Sequence, residues 1–279
     1  MTAPPDTPAV STHRRFLKVI ACEIALREIC HAVAQSPSLV DLEFLPQGLH
    51  DTPTRGRDEI QRRLDAVPAG KYDAVLIGYG LCSSILKDLC ARDTRLVIPR
   101  AHDCITFFLG SKERYQQCFT ERPGTYYFTA GWLEVRQRRD GEGTAGHGGF
   151  MPANSAAALQ LDYQHWVAKY GEDQARYLME VMAGWSTRYT HGTLIDFDFT
   201  RPLRCREEVE RVCQEKGWQF EALEGDLSLL RRWLNGDWTE NDFLVVPPGR
   251  SVVPSFDEGV IACSRMSPAD GHQDRASTA

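Results

Sequence analysis

The chain is predicted to be an α/β protein: a parallel sheet with helices on both faces, built as two Rossmann-like or flavodoxin-like lobes. Three observations predict it. Apolar runs of strand length alternate with stretches whose apolar residues recur at helical spacing. The runs Ala74–Gly78 and Arg95–Pro99 are nearly continuous in apolar residues, as strands buried on both faces are. Finally, 279 residues with 42% hydrophobic content suffice for a sizeable core.

Taken in order, Phe16–Ala21 reads as a buried strand and Glu23–Ala34 as the helix after it. Val40–Leu45 alternates like a strand, and a helix follows around Arg57–Leu64. Ala74–Gly78 leads into an expected helix, Ser83–Cys90, before the strand Arg95–Pro99. This βαβαβαβ rhythm implies a parallel sheet. The second half repeats it more loosely. Ser155–Trp185 is helical in character with a break at Gly171, Thr193–Phe197, Phe220–Leu223 and Phe243–Val246 are strands, and Arg204–Glu215 and Asp226–Leu234 are helices between them. Gly225-Asp226 gives the last helix an N-cap. The expected organisation is a disordered lead over 1–14, an N-terminal lobe over 15–138, a Gly-rich mobile loop over 139–150, a C-terminal lobe over 151–265 and a disordered tail over 266–279. A single continuous sheet is the alternative.

The net charge of −6, with no Lys/Arg stripe to offset it, argues against a nucleic-acid partner. Apolar runs such as Ala74-Val75-Leu76-Ile77 are far too short to span a bilayer, and the N-terminus lacks the apolar core of a signal peptide. A cytoplasmic protein is therefore expected, in which nine cysteines are not a disulfide framework.

Ligands of open parallel sheets bind beyond the carboxyl ends of the strands. Cys22-Glu23 follows the first strand, Pro46–His50 the second, Tyr79–Cys82 the third and Pro99–Cys104 the fourth. Four successive strands thus deliver a Cys or His to one edge. Zinc takes about four such ligands, and Cys22, Cys82, His102 and Cys104 supply that set. Asp103 or Glu23 would orient a ligand histidine from behind, and His50 would be a fifth ligand or handle a proton. An iron–sulfur cluster on Cys22, Cys82 and Cys104 fits equally. A metal-free alternative makes Cys82 a nucleophile, its pKa lowered by the helix after it, with His50 or His102 as base. Cys30, Cys90, Cys118, Cys205, Cys213 and Cys263 lie inside element patterns and read as small buried hydrophobes.

The motifs Ala21-Cys22-Glu23, Gly78-Tyr79-Gly80-Leu81-Cys82 and Ile98–Ile105 together resemble the domain of unknown function 1638 family. The likeness extends through Leu109–Tyr115, Pro123–Tyr127, Gly131–Glu134 and Glu224-Gly225-Asp226, covering about residues 16–263. It implies a bacterial or archaeal protein without a settled activity, associated with corrinoid-dependent methyltransferase systems of one-carbon metabolism.

Between these motifs, Ser111 is placed to cap a helix whose start, with Lys112 and Arg114, can hold an anion. Tyr79 and Arg100 face the same edge, while Tyr126, Tyr127 and Trp132 can wall a small-molecule pocket. The expectation is a metal-dependent enzyme, a zinc methyltransferase acting on a small molecule. In it His50, Glu23 and Asp103 would do the acid–base work, and Arg100 would hold an anionic group. The alternatives are a metal- or corrinoid-handling accessory protein without turnover, and the Cys82 enzyme.

Overall fold

The computed structural model describes residues 14–81, 84–140, 167, 171–172, 176, 189–255 and 259–265. It is a mixed α/β structure, rich in parallel strands, with ten strands among the described residues.

The first sheet has strand order β2-β1-β3-β4-β8. β1 (Phe16–Cys22), β2 (Leu39–Leu45), β3 (Ala74–Gly78) and β4 (Leu96–Pro99) run parallel, as predicted, and β8 (Phe243–Val246) closes one edge antiparallel to β4. β3 and β4 are buried at every residue, which explains their uninterrupted apolar runs. α1 (Leu26–Gln35) crosses from β1 to β2 and α2 (Pro53–Asp65) from β2 back past β1 to β3. Those crossovers travel in opposite directions, so connections of one hand cover opposite faces of the sheet.

The second sheet, β5-β6-β7, is also parallel: β5 (Thr125–Phe128), β6 (His191–Asp196) and β7 (Gln219–Glu224). α3 (Ile105–Leu109) and α4 (Lys112–Glu121) lead into it, α5 (Ala130–Asp140) follows β5, and α6 (Cys205–Lys216) joins β6 to β7. Leu194 and Ile195 show how the sheets share their interior. Leu194 points into the smaller core with Phe128, Val209 and Trp218, and Ile195, on the other face, joins the larger core of the first sheet. A hairpin, β9 (Arg250–Pro254) with β10 (Ile261–Arg265), completes the described chain.

The chain does not divide between the sheets at the Gly-rich segment. Thr125–Phe128, which carries the expected pocket residues Tyr126 and Tyr127, is a strand of the second sheet, and Phe243–Val246 returns to the first. Between them α7 (Ser228–Asn235) packs on α1, and its Trp233, 0% exposed, lies beside Gly78 and donates from Nε1 to the Val97 carbonyl at 3.1 Å. Asp226 accepts the Ser228 amide at 2.7 Å at the helix entry the sequence marked.

One predicted helix is corrected. Among the described residues of Ser83–Cys90 there is a turn instead, because Ser84 and Asp88 take positive φ (67° and 66°) and the segment pairs with β9. Asp88 N–H donates to Val252 O, Val252 N–H to Leu89 O, and Cys90 bridges Ser251. The expectations for the lead, the Gly-rich loop, the tail and most of Ser155–Trp185 lie outside the described residues. No disulfide links the eight described cysteines, and no helix among the described residues is long and apolar enough to cross a membrane.

Replacing Trp233 by Ala removes the largest fully buried side chain and its bond to β4. We expect Trp233→Ala to lower the unfolding free energy by about 3–5 kcal/mol in urea titration, and an unchanged midpoint would mean that this packing and hydrogen bond do not stabilise the fold.

Candidate functional site

Strand order places the topological switch of the first sheet between β1 and β3, because β2 lies to one side of β1 and β3 and β4 to the other. Ligand crevices of open α/β sheets form at that point, beyond the carboxyl ends. The loops following β1 to β4 all gather there, and two close approaches join them.

The first joins the loops after β3 and β4. Gly80 lies so near Asp103 that a Cβ would sit 2.7 Å from the Asp103 Cα, and Leu81 N–H donates to Ala101 O at 2.8 Å. Only glycine fits such an approach. The second joins the loops after β1 and β2, where Gln47 N–H donates to Glu23 Oε1 at 2.9 Å. Glu23 Oε2 in turn meets Arg138 of α5 at 3.1 Å, tying this edge to the second sheet. Between these joins Tyr79 is buried and its ring stacks against His50, with centroids 5.5 Å apart.

Asp103 is the polar centre of the β4 loop. Its carboxylate accepts from the Ile105 N–H at 2.9 Å and from the Tyr115 hydroxyl at 2.8 Å. Burial pushes its pKa above the ordinary carboxylate value, while those two hydrogen bonds and neighbouring His102 pull the other way. Burial, then the Asp103 charge, raises the Tyr115 phenol far beyond neutrality. Tyr127, 6.5 Å from Tyr115 ring to ring, is pushed up to about 12, first by burial. Both phenols therefore stay protonated, and Tyr115 donates to the half-buried Asp103 carboxyl while Tyr127 lies beside it.

The other predicted residues separate by what they touch. Cys22 is buried, Cys104 half-buried and His102 exposed. Cys82 lies outside the described residues. Among those described, no three Cys, His, Asp or Glu side chains come together as a metal set. Arg100, expected to hold an anion, spends its guanidinium on main-chain carbonyls: Nε donates to Glu240 O and Nη1 to Gly259 O, both at 2.8 Å, and to Ile261 O. Lys112 donates to Asn241 O at 2.7 Å. Both line an open groove of about 500 Å³, with Glu240, Ser255 and Gly259. Arg114 likewise braces the carbonyls of Leu109 and Glu224 (3.3 and 2.6 Å), and Ser111 caps α4 by accepting the Arg114 amide at 3.1 Å, as its spacing predicts. Tyr126 and Tyr127 do not wall one pocket. Alternation along β5 sends Tyr126 into the second core against Trp218 and Tyr189, leaving Tyr127 on the Asp103 side. Trp132 sits half-buried in the first turn of α5, its backbone N–H donating to Thr129 Oγ1 at 3.2 Å.

Three residues that the sequence reading passed over belong to this region. Tyr115 stands one helical turn after its cap, where only the folded loop shows that it meets Asp103. Gln47 is buried with its side-chain oxygen unpartnered. Glu28 interrupts the inward stripe Ala25, Ile29 and Ala32 of α1, and a charge at an apolar-stripe position was a legible signal.

Removing the Tyr115 hydroxyl strips a donor from a half-buried carboxylate. Tyr115→Phe should cost about 1.5–3 kcal/mol of stability by denaturant titration; a loss within a few tenths would mean that the bond is not made in solution.

A family model described as protein of unknown function (DUF1638) matches residues 44–234, which contain the loops after β2, β3 and β4 but not β1 or α1. No curated protein and no solved structure matches.

Proposed function

Because the chain belongs to the DUF1638 family, whose description assigns no activity, its function is read from its own site, and we propose an enzyme acting on a small molecule at the carboxyl edge of the first sheet. The observation that carries this reading is the fusion of the β3 and β4 loops at Gly80 and Asp103. It seats a half-buried carboxyl under Tyr115, beside Tyr127, on the β4 side of the sheet's switch point. A carboxyl kept from water by its surroundings is suited to take and return a proton. Tyr115 fixes its orientation, and His50 on Tyr79 offers a second proton-handling group along the same edge. Methyl or one-carbon transfer, the class suggested by the family resemblance, is the reaction to assay first.

Metal involvement is a second reading, favoured by the bond from Leu81 to Ala101, which brings the residue before Cys82 against the loop of His102 and Cys104. Zinc and an iron–sulfur cluster both depend on Cys82 completing a set that Cys22, His102 and Cys104 do not make by themselves. No step of the reading above is routed through either. Elemental analysis and an absorption spectrum of protein purified without oxygen decide it. About one zinc per chain, lost in Cys82→Ser/Cys104→Ser, supports zinc; stoichiometric iron with a brown colour supports the cluster; no metal removes both.

For the enzyme reading, transfer from isotopically labelled methyl donors, including methylated corrinoid, to thiol acceptors is measured with wild type, Asp103→Asn and His50→Gln. Turnover lowered by about 10²–10⁴-fold in Asp103→Asn, with donor binding retained, is the expected result. Donor binding without turnover in the wild type would point instead to an accessory binding protein.

A further inference from the structure

The first turn of α1 meets α5 along a seam that joins the carboxyl edges of the two sheets. At its centre Gly131 abuts the Ile24 carbonyl so closely that a Cβ would lie 2.0 Å from that oxygen. On either side are ion pairs. Arg27 grips both Glu134 oxygens, its Nε 3.0 Å from each, and Arg138 meets Glu23. Beneath these lies Glu28, 0% exposed, with neither carboxyl oxygen hydrogen-bonded to another residue. A carboxyl in that position carries a full desolvation penalty when ionised. The charges acting on it are Arg27 from its own helix and Glu134 from α5; α7, which also packs on α1, adds none among the described residues. Arg27 is already committed to Glu134. Next along the inward side, Cys30 has its thiol pushed up by burial and by Glu28. Cys205, at the start of α6, is raised by burial first and then by Asp196, Glu208 and Glu134. Neither thiol supplies a positive charge.

We propose that Glu28 is a proton-controlled latch on the α1–α5 seam: protonated, it stays buried and the seam is closed; ionised, it competes with Glu134 for Arg27 or draws in water, and the seam opens. This inference is independent of the reaction proposed above.

The sign follows from linkage. Burial raises the Glu28 pKa from 4.5 to about 7, so the closed seam binds the proton more tightly than the opened one. Opening therefore becomes easier as pH rises through that window and levels off above about 7, by up to about tenfold per pH unit for one proton. Hydrogen exchange reads this directly, because local openings expose amides segment by segment.

The test is amide hydrogen exchange of the full chain from pH 4.5 to 8, corrected for intrinsic rates, on wild type and Glu28→Gln. Wild-type protection of 26–35 and 130–138 should fall by up to about tenfold per pH unit until near pH 7 and then level, while 74–78 and 96–99 keep theirs. Glu28→Gln should be flat across the range. A flat wild-type profile, the same slope in Glu28→Gln, or a loss spread equally over β3 and β4 overturns the latch. If Glu28→Gln does not fold, the wild-type profile alone decides, a local loss supporting the proposal and a flat or global one refuting it.

Discussion

The contact of Gly131 with the Ile24 carbonyl fixes how the two larger sheets meet, and the rest of the edge is arranged around it. No side chain fits between those backbones, so α5 approaches the turn after β1 more closely than helices with ordinary residues can. The flanking pairs, Arg27 with Glu134 and Glu23 with Arg138, then need only span a gap that the glycine has set. Partly exposed ion pairs of this kind add little stability on their own. Their effect is on register, since each links an element of the first sheet to the helix following the first strand of the second.

Above this seam the carboxyl edge is drawn together pairwise. β1 and β2 are joined through Glu23 and Gln47, β3 and β4 through Gly80 and Asp103. The switch point lies between the two pairs. Groups of different kinds stand around it: a half-buried carboxyl with two phenols on one side, an amide oxygen and a carboxylate on the other, and the imidazole of His50 stacked on Tyr79. Several expected binding residues serve instead as braces. Arg100, Lys112 and Arg114 all donate to main-chain carbonyls of segments distant in sequence. Long cationic side chains suit this task because one guanidinium can satisfy several carbonyls that loops leave without a strand partner.

The first four strands, their parallel direction and the edge carrying the loops were legible because β1, β3 and β4 write themselves as apolar runs and β2 as an alternating one. β5 was not, since Thr-Tyr-Tyr-Phe after Pro-Gly reads equally as an aromatic turn. Its partner β6 lies beyond a long intervening segment, and pairing over that distance leaves no local mark. The helix expected after β3 failed for a related reason. Its residues have helical propensity, but hydrogen bonds to β9, more than 150 residues later, override it. At the candidate site, the strand-end rule pointed to Asp103, His50 and Tyr79, whereas Tyr115 and Gln47 depend on how loops fold over one another. Glu28 was visible as a break in an apolar stripe and was passed over because charged residues ordinarily turn outward.

The return of β8 to the first sheet has a consequence for how the chain is made. Val97 of β4 pairs with Val245 and carries Trp233 on its carbonyl, so β8 and the helix bearing Trp233 leave the ribosome long after β4 has paired with β3. Until then β4 presents an unpaired, wholly apolar edge, the kind that recruits strands from other chains. The three-stranded sheet, whose strands all lie between 125 and 224, is synthesised inside that interval. Synthesis thus leaves the earliest-begun sheet closing after the three-stranded one, with its most vulnerable edge awaiting the final quarter of the protein.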